Sequence, residues 1–395
     1  IRDRLGARRL AQWLRYPLLD RRAILERQSR VRELAERDPR RASLRAALAA
    51  VGDLERRLAK AVRPQSGPRD LAALRASLQA MPGVDRALLD GSNPVLETLL
   101  QSPPDLAPVE ALLTRALVDD PPLVPKGSRG ALQTGYIREG YHGELDGLRE
   151  SATKGREWIA GLEAEERARS GIATLKVRFH PVHGYALEVS KSQLDKVPDD
   201  YERKQTLANA ERFTTSALLE MEGRVRGAQE RAAALEREIF DALRAEVASC
   251  SGLLLAAAEV VAELDALAAL AETAREDAWV APEIYEDGRL EISAGRHPVV
   301  ASVLRSRDDS AYVPNDTELP AEDPRMLLLT GPNMSGKSTY LRQVALIVLL
   351  AQIGSYVPAE AAEVGLVDRV FTRVGASDRL ARGESTFMVE MRETA

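Results

Sequence analysis

The stretch from Met326 to Thr339, which reads M-L-L-L-T-G-P-N-M-S-G-K-S-T, constrains the fold of this chain more than any other feature. Its first four residues form a short apolar run of the length expected for a buried parallel strand. Residues 331–338 then spell G-x-x-x-x-G-K-S, and the apolar spacing from Tyr340 to Gln352 is that of a helix. The pattern predicts a strand, a phosphate-binding loop and a helix, in that order.

The residue types in this loop suit the binding of a nucleotide. Gly331 and Gly336 allow the backbone to bend so that its N–H groups face a phosphate, and the start of the helix adds partial positive charge. The ammonium of Lys337 is expected to reach the β- and γ-phosphates, and the hydroxyl of Ser338 to hold Mg²⁺. A chance glycine-rich turn is the alternative, and the position of the pattern between a strand and a helix argues against it.

The composition favours a largely helical protein with more than one domain. At 395 residues the chain is long enough for about two to four domains. Hydrophobic residues make up 45% but aromatic residues only 4%, and the abundance of Ala and Leu favours helices. The net charge of −5 neither indicates nor excludes nucleic acid, although residues 1–63 hold 18 Lys and Arg against 8 Asp and Glu. Codon bias and contacts with phosphate both stay open as explanations of the arginine excess.

The single cysteine and the lack of a long apolar run narrow the class of protein further. Cys250 excludes a disulfide framework and a cysteine-based zinc site, and we interpret it as a small core residue in a reducing compartment. No apolar run is long and uncharged enough to span a membrane, and the chain begins in a polar helix rather than a signal peptide. The prediction is a cytoplasmic protein without a membrane partner.

Residues 1–142 are predicted to form a helical core and lever domain. Helical patterns alternate there with breaks at proline and glycine, and residues 119–140 form a connector. The breaks are at Pro17, Pro39, Pro64 to Pro68, Pro82 to Gly83, and Pro103 to Pro104. Apolar residues in each segment recur at spacings of three and four, which predicts one buried stripe per helix. Nothing in this domain resembles a catalytic centre, and Trp13 is interpreted as a packing residue.

Two heptad patterns predict a pair of long lever helices, one over 143–170 and the other over 216–276. The seam residues are Leu145, Leu148, Ala152, Gly155, Ile159 and Leu162, then Leu218, Met221, Val225, Ala228, Ala232, Leu235, Ile239 and Ala242. If unbroken, the second helix would be roughly 80 Å long at about 1.5 Å per residue. We favour an antiparallel pair that carries a different element at its tip. A dimerisation coiled coil is the alternative.

Residues 171–215, between the two heptad patterns, are predicted to form a small β element. Apolar and polar residues alternate on both sides of the turn His180-Pro181-Val182-His183-Gly184. The apolar face consists of Leu175, Val177, Phe179, Tyr185, Leu187 and Val189. Lys176, Arg178 and His180 therefore fall together on the other face.

The cations of this β element form a row at strand spacing, which suits contact with a phosphate backbone without sequence reading. Residues 167–191 carry five Lys and Arg residues and a single acidic residue, Glu188. A solvated charged face is the alternative. His180 and His183 are interpreted as loop residues, because neither a cysteine nor a nearby third histidine completes a metal site.

Residues 277–395 are predicted to form a P-loop ATPase domain that is incomplete at its carboxyl end. Strands are predicted at 290–293 and 367–374. Tyr312 and Val313 precede the phosphate-loop strand, where nucleotide-binding folds often pack the base. A P-loop ATPase needs an acidic residue at the end of a later buried strand to hold Mg²⁺. No apolar run ending in Asp-Glu follows the phosphate loop, so this chain is expected to bind a nucleotide but to be deficient in hydrolysis on its own.

Six stretches, spread over nearly the whole chain, carry a family resemblance. They are T-G-P-N-M-S-G-K-S-T-Y-L-R-Q-V-A-L-I-V-L-L-A-Q-I-G-S-Y-V-P at 330–358, D-R-V-F-T-R-V-G-A at 368–376, K-Q-T-L-A-N-A-E-R-F at 204–213, and residues 10–18, 179–185 and 385–395. With these stretches the chain resembles the MutS family of bacterial DNA mismatch-repair proteins. Ser335 stands where many members carry Gly, which a phosphate loop tolerates. The resemblance implies a multidomain α plus α/β fold, with a helical core, long antiparallel lever helices, a β clamp at their tip and a partial ABC-type P-loop ATPase. The implied domains are 1–142, 143–170, 171–215, 216–276 and 277–395.

The resemblance also implies a function. A homodimer would encircle duplex DNA, bind mismatches, act as a DNA-dependent ATPase and change to a sliding clamp when ATP binds, in the cytoplasm at the nucleoid. ATP and Mg²⁺ are the implied cofactors, and a MutL-type repair protein is an implied partner. The implied nucleotide contacts are Gly331, Pro332, Asn333, Met334, Ser335, Gly336, Lys337, Ser338, Thr339, Tyr312 and Val313, with Asn333 and Lys337 in catalysis and Ser338 on the metal. The implied DNA contacts are Lys176, Arg178, His183, Lys191 and Lys204.

Two departures from the family bear on these expectations. The family reads mismatches with a Phe-x-Glu wedge, and none of the five phenylalanines of this chain has Glu two residues on. Mismatch reading and the acidic magnesium residues are therefore expected to belong to other parts of a parent protein. Two alternatives stay open: a MutS-like paralogue that acts on recombination intermediates, and a DNA-binding scaffold that binds ATP without hydrolysing it.

Overall fold

In the computed structural model, helices and two four-stranded sheets make up the part of the chain that is described. The structure describes residues 4–88, 96, 104–122, 134–180, 183–306, 312–322, 325–332 and 335–372. Two compact units are present, one of Ile1–Arg56, Ala76–Leu106 and Gly252–Ala395, and one of Arg57–Arg75 and Ala107–Ser251. Within the described ranges, no helix combines the length and the apolar character needed to cross a membrane.

The regular elements follow one another along the described chain. The helices are α1 Arg4–Arg15, α2 Arg21–Glu36, α3 Asp38–Val51, α4 Leu54–Ala61, α5 Pro68–Leu88, α6 Ala107–Ala116, α7 Gly143–Ser170, α8 Ser216–Ser249, α9 Ser251–Glu276, α10 Pro298–Ser306 and α11 Lys337–Gln352. The strands are β1 Lys176–His180, β2 Gly184–Ser190, β3 Glu202–Thr206, β4 Ala210–Thr214, β5 Glu283–Tyr285, β6 Leu290–Gly295, β7 Asn315–Leu319 and β8 Ala361–Gly365. A 3₁₀ helix spans Lys191–Lys196.

The predicted helix break at Pro82 and Gly83 is wrong, because α5 continues through both residues. Proline inside a helix removes one backbone hydrogen bond and clashes with the preceding turn. Leu78, Val84 and Leu88, on either side of this point, are at most 2% exposed. Burial of these apolar side chains offsets the lost bond, so packing overrides the local signal.

Acidic partners neutralise many of the arginines in the amino-terminal helices. Arg8 donates hydrogen bonds to Asp53 (3.1 Å) and Glu55 (2.8 Å). Burial alone would raise the pKa of Asp53, but the bonds from Arg8 and from a backbone N–H hold it below its ordinary value. Further pairs are Arg30 with Glu26 and Glu263, Arg40 with Glu33, Arg41 with Asp38, and Arg45 with Glu272. Many of the arginines that make residues 1–63 basic are therefore paired with acidic side chains within the fold.

The long helices α7 and α8 pack against each other in opposite directions. Arg149 of α7 pairs with Glu236 of α8 (2.8 Å). Further along α7, a Cβ atom on Gly155 would overlap Val225, which lies earlier in α8. Of the predicted seam residues, Leu148, Met221 and Leu235 are only half-buried and Ala242 is exposed, whereas Glu236, Phe240 and Leu243 are buried. The buried stripe drifts off the heptad pattern because an α-helix has about 3.6 residues per turn.

The predicted helix over 216–276 is two helices, with a break at Cys250. The hydroxyl of Ser249 donates to the carbonyl of Glu246 (2.7 Å), and that of Ser251 to the carbonyl of Ala248 (2.7 Å). Serine hydroxyls that bind nearby backbone carbonyls compete with the helical hydrogen bonds. Cys250 itself is half-buried at this junction, so its interpretation as a core residue is wrong.

The first sheet has the strand order β1-β2-β4-β3, and every neighbouring pair is antiparallel. One face packs on α7 and α8. Its core includes Leu175, Leu187, Val189 and Phe213 together with Ile159, Leu162, Leu218 and Val225 of the helices. Phe179 was predicted on this apolar face, yet its side chain is 61% exposed and contacts the ring of Tyr185 at a centroid distance of 5.0 Å.

The second sheet has the order β5-β8-β6-β7, in which β5 and β8 are parallel and the other pairs antiparallel. Its core contains Ile284, Ile292 and Val364, packed with Ile347 of α11 and Ile24 of α2. The strand predicted at 290–293 is confirmed as β6. The strand predicted at 367–374 is wrong as far as residue 372, and the nearby strand lies at Ala361–Gly365.

The predicted buried strand at 326–329 is also wrong. These residues have no regular structure, and Met326 and Leu328 are 86% and 83% exposed. A strand exists only where its backbone groups bond to neighbours, and among the described residues no segment pairs with this one. Apolar composition alone therefore did not place these residues in the sheet.

Candidate functional sites

The phosphate loop bends sharply before it enters α11. Gly331 has a φ of 151° and Gly336 a φ of 92°, values that favour glycine. A Cβ atom on Gly331 would lie 3.2 Å from the Ser335 hydroxyl, so this position is crowded as well as bent. Gly336 caps the helix, which begins at Lys337. The first N–H groups of any α-helix have no acceptor within the helix, so they face the loop as donors for an anion.

Lys337 lies across this loop. Its ammonium donates to the carbonyls of Gly331 (2.6 Å) and Pro332 (2.7 Å). Ser338 is exposed at the first turn of α11, and Thr339 is half-buried. Asn333 and Met334, which were predicted to bind nucleotide, lie outside the described residues. The donor set of lysine, serine and helix start fits a phosphate group with a bound magnesium ion.

Tyr312 and Val313, predicted near the base, have different surroundings. The Tyr312 hydroxyl donates to Oε1 of Gln343 in α11 (2.7 Å), and burial raises the pKa of Tyr312. Val313 is 77% exposed. A second bond joins the same two parts of the chain, because the hydroxyls of Tyr340 and Thr317 lie 2.8 Å apart. The structure thus connects residues 312–317 to the helix that follows the phosphate loop.

A bulge in β6 completes the surroundings of Gln343. The pairing of β6 with β7 shifts register between Ile292 and Gly295, and Ala294 has a φ of 50°. The backbone N–H of Ala294 donates to Asp316 (2.7 Å). A Cβ atom on Gly295 would lie 2.8 Å from Nε2 of Gln343. Only glycine therefore leaves room for the Gln343 amide.

Lys176 and Arg178 lie exposed on β1, at an edge of the first sheet. Lys176 is opposite Glu188, whose carboxylate accepts a bond from Arg212 (3.2 Å), and Arg178 is opposite Ala186. Within the described part of the chain, neither cation forms an ion pair with an acidic side chain. Both are available for an anionic partner.

The other three predicted DNA contacts, His183, Lys191 and Lys204, lie toward the two ends of β2. Lys204 donates to the carbonyls of His183 (3.3 Å) and Tyr185 (3.4 Å), so the structure brings Lys204 and His183 together. Lys191 follows the far end of β2, near Lys176, and its N–H donates to the carbonyl of Asn209 (3.2 Å). The two ends of β2, Gly184 and Ser190, are roughly 20 Å apart at about 3.3 Å per residue. The predicted DNA contacts thus form a row along the sheet rather than a single cluster.

Glutamates of the long helices hold the first sheet in place. Glu163 of α7 accepts from the backbone N–H of Val177 (3.0 Å), and Glu222 of α8 from that of Tyr185 (3.3 Å). Glu166 of α7 accepts from the Tyr201 hydroxyl (2.8 Å). Burial and this bond raise the pKa of Tyr201. These bonds fix the strand that carries Lys176 and Arg178 against the helix pair.

Two family models match the sequence. The model described as MutS domain III matches residues 4–271, and the model described as MutS domain V matches residues 327–395. The first alone covers more than half of the chain. The chain belongs to the MutS family.

Several relatives carry the name DNA mismatch repair protein MutS. The protein of Myxococcus xanthus is 48% identical over 395 residues, which are 99% of this chain and 43% of that protein. Those of Acetivibrio thermocellus and Anaeromyxobacter dehalogenans are 44% and 48% identical, over 99% of this chain and 44% of each relative. The chain therefore spans less than half the length of the MutS relatives that it matches.

The two MutS matches divide the features described above. The domain III match holds the long helices and the first sheet, and the domain V match holds the phosphate loop and α11. Tyr312 and Gly295 fall between the two matches. No group of three or more His, Cys, Asp or Glu that could hold a metal occurs in the described residues of this MutS chain.

Sequence reasoning missed two buried polar residues of this MutS chain. Glu236, which is 0% exposed, accepts from the N–H groups of Gly135 (2.9 Å), Tyr136 (2.8 Å) and Ile137 (2.8 Å) and from Arg149 (2.8 Å). Burial and the nearby Glu236 raise the pKa of Tyr136 to about 12. The second missed residue is Gln343. Each is a polar residue at a helix position where the apolar stripe continues, and that interruption was the available signal.

Proposed function

We propose that this chain is the ATP-binding and DNA-holding part of a mismatch-repair ATPase. The observation that carries the proposal is the phosphate loop, in which Gly331 and Gly336 take glycine-favouring torsions directly before the start of α11. Membership of the MutS family supports the same conclusion. The proposal covers binding of ATP and Mg²⁺ by the loop and of duplex DNA by the first sheet.

At the nucleotide site each residue has a proposed role. Lys337 binds the β- and γ-phosphates, the Ser338 hydroxyl holds Mg²⁺, and Asn333 positions the attacking water. Backbone groups of Gly331, Pro332, Met334, Ser335, Gly336 and Thr339 surround the phosphates, and Tyr312 and Val313 lie beside the base. When bound, Mg²⁺ neutralises charge that develops on the phosphates. Two of the three ammonium donors of Lys337 bind the carbonyls of Gly331 and Pro332, so full engagement with an anion requires Lys337 to give up these bonds.

At the DNA site the exposed face of the first sheet holds the duplex. Lys176, Arg178, His183, Lys191 and Lys204 contact phosphates, which gives affinity without sequence reading. Spacing along the sheet suits successive phosphates of a backbone better than a single compact anion. Selection of mismatches is assigned to the full-length protein rather than to these residues.

The same proposal extends to assembly and switching. Two copies close around the duplex, ATP binding converts the closed state to a sliding clamp, and α7 and α8 act as levers that carry this change. A MutL-type repair protein is the proposed downstream partner, and the proposed location is the cytoplasm at the nucleoid. Nucleotide binding must then alter the lifetime of the DNA complex.

The substitution Lys337→Ala in the full-length protein tests this link. We expect ATP affinity to fall roughly 10- to 100-fold, because charge-assisted bonds to phosphate are lost. ATP should then no longer speed release from mismatched duplex in stopped-flow fluorescence. The control is Lys154→Ala, an exposed lysine paired with Glu150 (2.7 Å). Release kinetics that stay as in the unsubstituted protein would contradict the switch.

The double substitution Lys176→Ala with Arg178→Ala tests the DNA site. We expect duplex binding to weaken equally for matched and mismatched DNA, and the slope of log affinity against log salt to fall by about 2. Fluorescence anisotropy across a salt series measures both. The control is Arg224→Ala, an exposed arginine paired with Glu220 (2.7 Å). A loss confined to one sequence, or an unchanged slope, argues against phosphate contact.

A further inference from the structure

Gln343 is a polar residue in the buried stripe of α11. It is 0% exposed, as are Ile347 and Ala351 one and two turns further on. A buried amide is costly unless both of its ends are hydrogen-bonded. The position therefore calls for a role that an apolar side chain would not supply.

Only one end of this amide is bonded. Oε1 accepts from the Tyr312 hydroxyl (2.7 Å), whereas Nε2 has no hydrogen-bond partner among the described residues. Gly295 allows this placement, since a Cβ atom there would lie 2.8 Å from Nε2. Packing thus holds the Gln343 amide in place, and the one hydrogen bond that the amide forms is with the Tyr312 hydroxyl.

The bond restricts the ring of Tyr312. Tyr312 is half-buried and lies three residues before β7, in a stretch without regular structure. An aromatic ring that is already held loses less freedom when a flat ligand stacks on it. Base stacking on aromatic side chains contributes to nucleic-acid and nucleotide binding in a way that tolerates different bases.

Gln343 also lies on the helix that begins in the phosphate loop. Lys337 and Gln343 are about 9 Å apart along the axis at about 1.5 Å per residue. This is comparable with the separation of the triphosphate and the base within one nucleotide. A second tie, from Tyr340 to Thr317 (2.8 Å), holds the same segment to α11. Helix α11 thus positions both Lys337 at the phosphate end of the proposed site and Tyr312 at its base end.

We infer that Gln343 is a positioning residue that orients Tyr312 against the nucleobase and so sets the base-dependent part of nucleotide affinity. The inference rests on the proposed nucleotide site. Tyr312 contacts the base, and Gln343 acts through Tyr312 without touching the nucleotide. Loss of Gln343 therefore weakens binding of a nucleotide but not of a ligand that consists of phosphates alone.

Calorimetric titration of the full-length protein with MgATP and with magnesium tripolyphosphate tests the inference. For Gln343→Leu we expect ATP affinity to fall roughly 5- to 20-fold, a part of the usual stacking contribution, and tripolyphosphate affinity to change less than about twofold. Tyr312→Phe, which keeps the ring and removes the hydroxyl, should lower the ATP-to-tripolyphosphate ratio in the same direction. Adding Gln343→Leu to Tyr312→Phe should cause little further loss, because both remove one bond.

The matched control is Gln352→Leu on the same helix. Gln352 is also buried, and its Nε2 donates to the carbonyls of Leu18 (3.0 Å) and Val367 (3.0 Å). We expect this variant to lose stability yet to keep the ratio of the two affinities. If Gln343 only contributes to packing, the ratio of ATP to tripolyphosphate affinity should change in both Gln343→Leu and Gln352→Leu, or in neither. Either result overturns the positioning role.

The remaining outcomes separate the inference from the proposed function. An unchanged ratio in Gln343→Leu, or equal losses for both ligands, overturns the inference and leaves the phosphate-loop proposal standing. Equal affinities of the unsubstituted protein for ATP and tripolyphosphate overturn the inference and the proposed base contacts of Tyr312 and Val313, and they leave the proposed phosphate contacts standing. Failure of the unsubstituted protein to bind either ligand refutes the proposed nucleotide site and the inference together.

Discussion

The regions around the two sheets each contain a buried polar helix residue, Glu236 in the first and Gln343 in the second, and these residues differ in how fully they are hydrogen-bonded. In the first-sheet region, residues 134–249, the buried carboxylate of Glu236 accepts bonds from three backbone N–H groups and from Arg149. In the second-sheet region, residues 283–372, Gln343 keeps an unpartnered donor, and Met326 and Leu328 lie exposed. The carboxylate of Glu236 thus has its hydrogen bonds supplied by its surroundings, whereas the amide of Gln343 keeps one donor without a partner among the described residues.

The difference also concerns distance along the chain. The strands and helices that build the first core come from residues 159–225, whereas the second core combines β5, β6 and β8 with α11 and with Ile24 of α2. Local partners make a sequence pattern informative, because the residues that set the environment are close by. Distant partners decide the second region, and there the pattern alone does not suffice.

The largest expected effect that sharpens this comparison comes from Glu236→Gln. The glutamine side chain has no negative charge, and its NH₂ group would face backbone N–H donors. We therefore expect the free energy of unfolding of the first-sheet region to fall by about 2 to 4 kcal/mol. Hydrogen exchange of the backbone amides of Tyr136 and Ile137, both bound to Glu236, measures the change. Exposed Glu238→Gln is the control and should stay within about 0.5 kcal/mol. A loss below about 1 kcal/mol for Glu236→Gln removes the contrast with Gln343.

A smaller effect is expected at the close approach of α7 and α8. Gly155→Ala places a Cβ atom against Val225, so we expect a loss of about 1 to 3 kcal/mol from overpacking. Gly161→Ala, on the same helix with nothing within 4 Å of the new atom, should instead stabilise by about 0.5 to 1 kcal/mol through helix propensity. Thermal unfolding followed by circular dichroism compares the two. Stabilisation by both substitutions would show that the helices separate easily.

The smallest expected effect is a pH dependence confined to the second-sheet region. Burial lowers the pKa of His297 from its ordinary 6.5, and its Nδ1 accepts from the N–H of Val300 (3.3 Å) at the start of α10. Below pH 6.5 the unfolded chain binds this proton more readily than the folded protein does, so stability falls as the pH drops through 6.5 toward the lowered pKa. His297→Asn keeps a capping acceptor and removes the titration. Urea unfolding at about pH 7.5 and about pH 5.5 should therefore show a flatter dependence for this variant.

The first-sheet region should resist the same change of pH. Hydrogen bonds from Arg169 hold the pKa of Asp200 below its ordinary 3.8, so the contribution of this pair is present above pH 3.8 and is lost only as the pH falls further. Exposed His183→Asn is the control for His297→Asn. A pH dependence that flattens equally in both variants would locate the effect outside α10.

The sequence allowed much of the first sheet to be predicted and less of the second. Alternation with a period of two assigns residues to a face, and Leu187 and Val189 are fully buried as expected. Alternation does not show where the covering helices contact that face, and Phe179 is exposed for that reason. β8 reads A-A-E-V-G, without a clear strand signal, and becomes a strand through its pairing with β5 and β6.

The candidate sites divide in the same way. The phosphate loop was predictable because its glycines, lysine and serine are contiguous, and the structure places Gly336 and Lys337 at the start of a helix. The bond between Tyr312 and Gln343 was not predictable, because it depends on the bulge at Gly295 and on the packing of α11. The predicted DNA contacts share an exposed sheet in the structure, and their role stays a prediction.

The hydrogen bonds of Lys337 have a consequence for selectivity among anions. An ammonium group has three N–H donors, and two of them already bind the carbonyls of Gly331 (2.6 Å) and Pro332 (2.7 Å). An incoming anion can bind the third donor directly, but it gains the other two only by displacing these neutral oxygens. A singly charged ion such as chloride offers little advantage over them, whereas a chain of phosphates brings several charges and many acceptors at once. We therefore expect the loop, under the proposed nucleotide binding, to select polyphosphates over the ions of common salt.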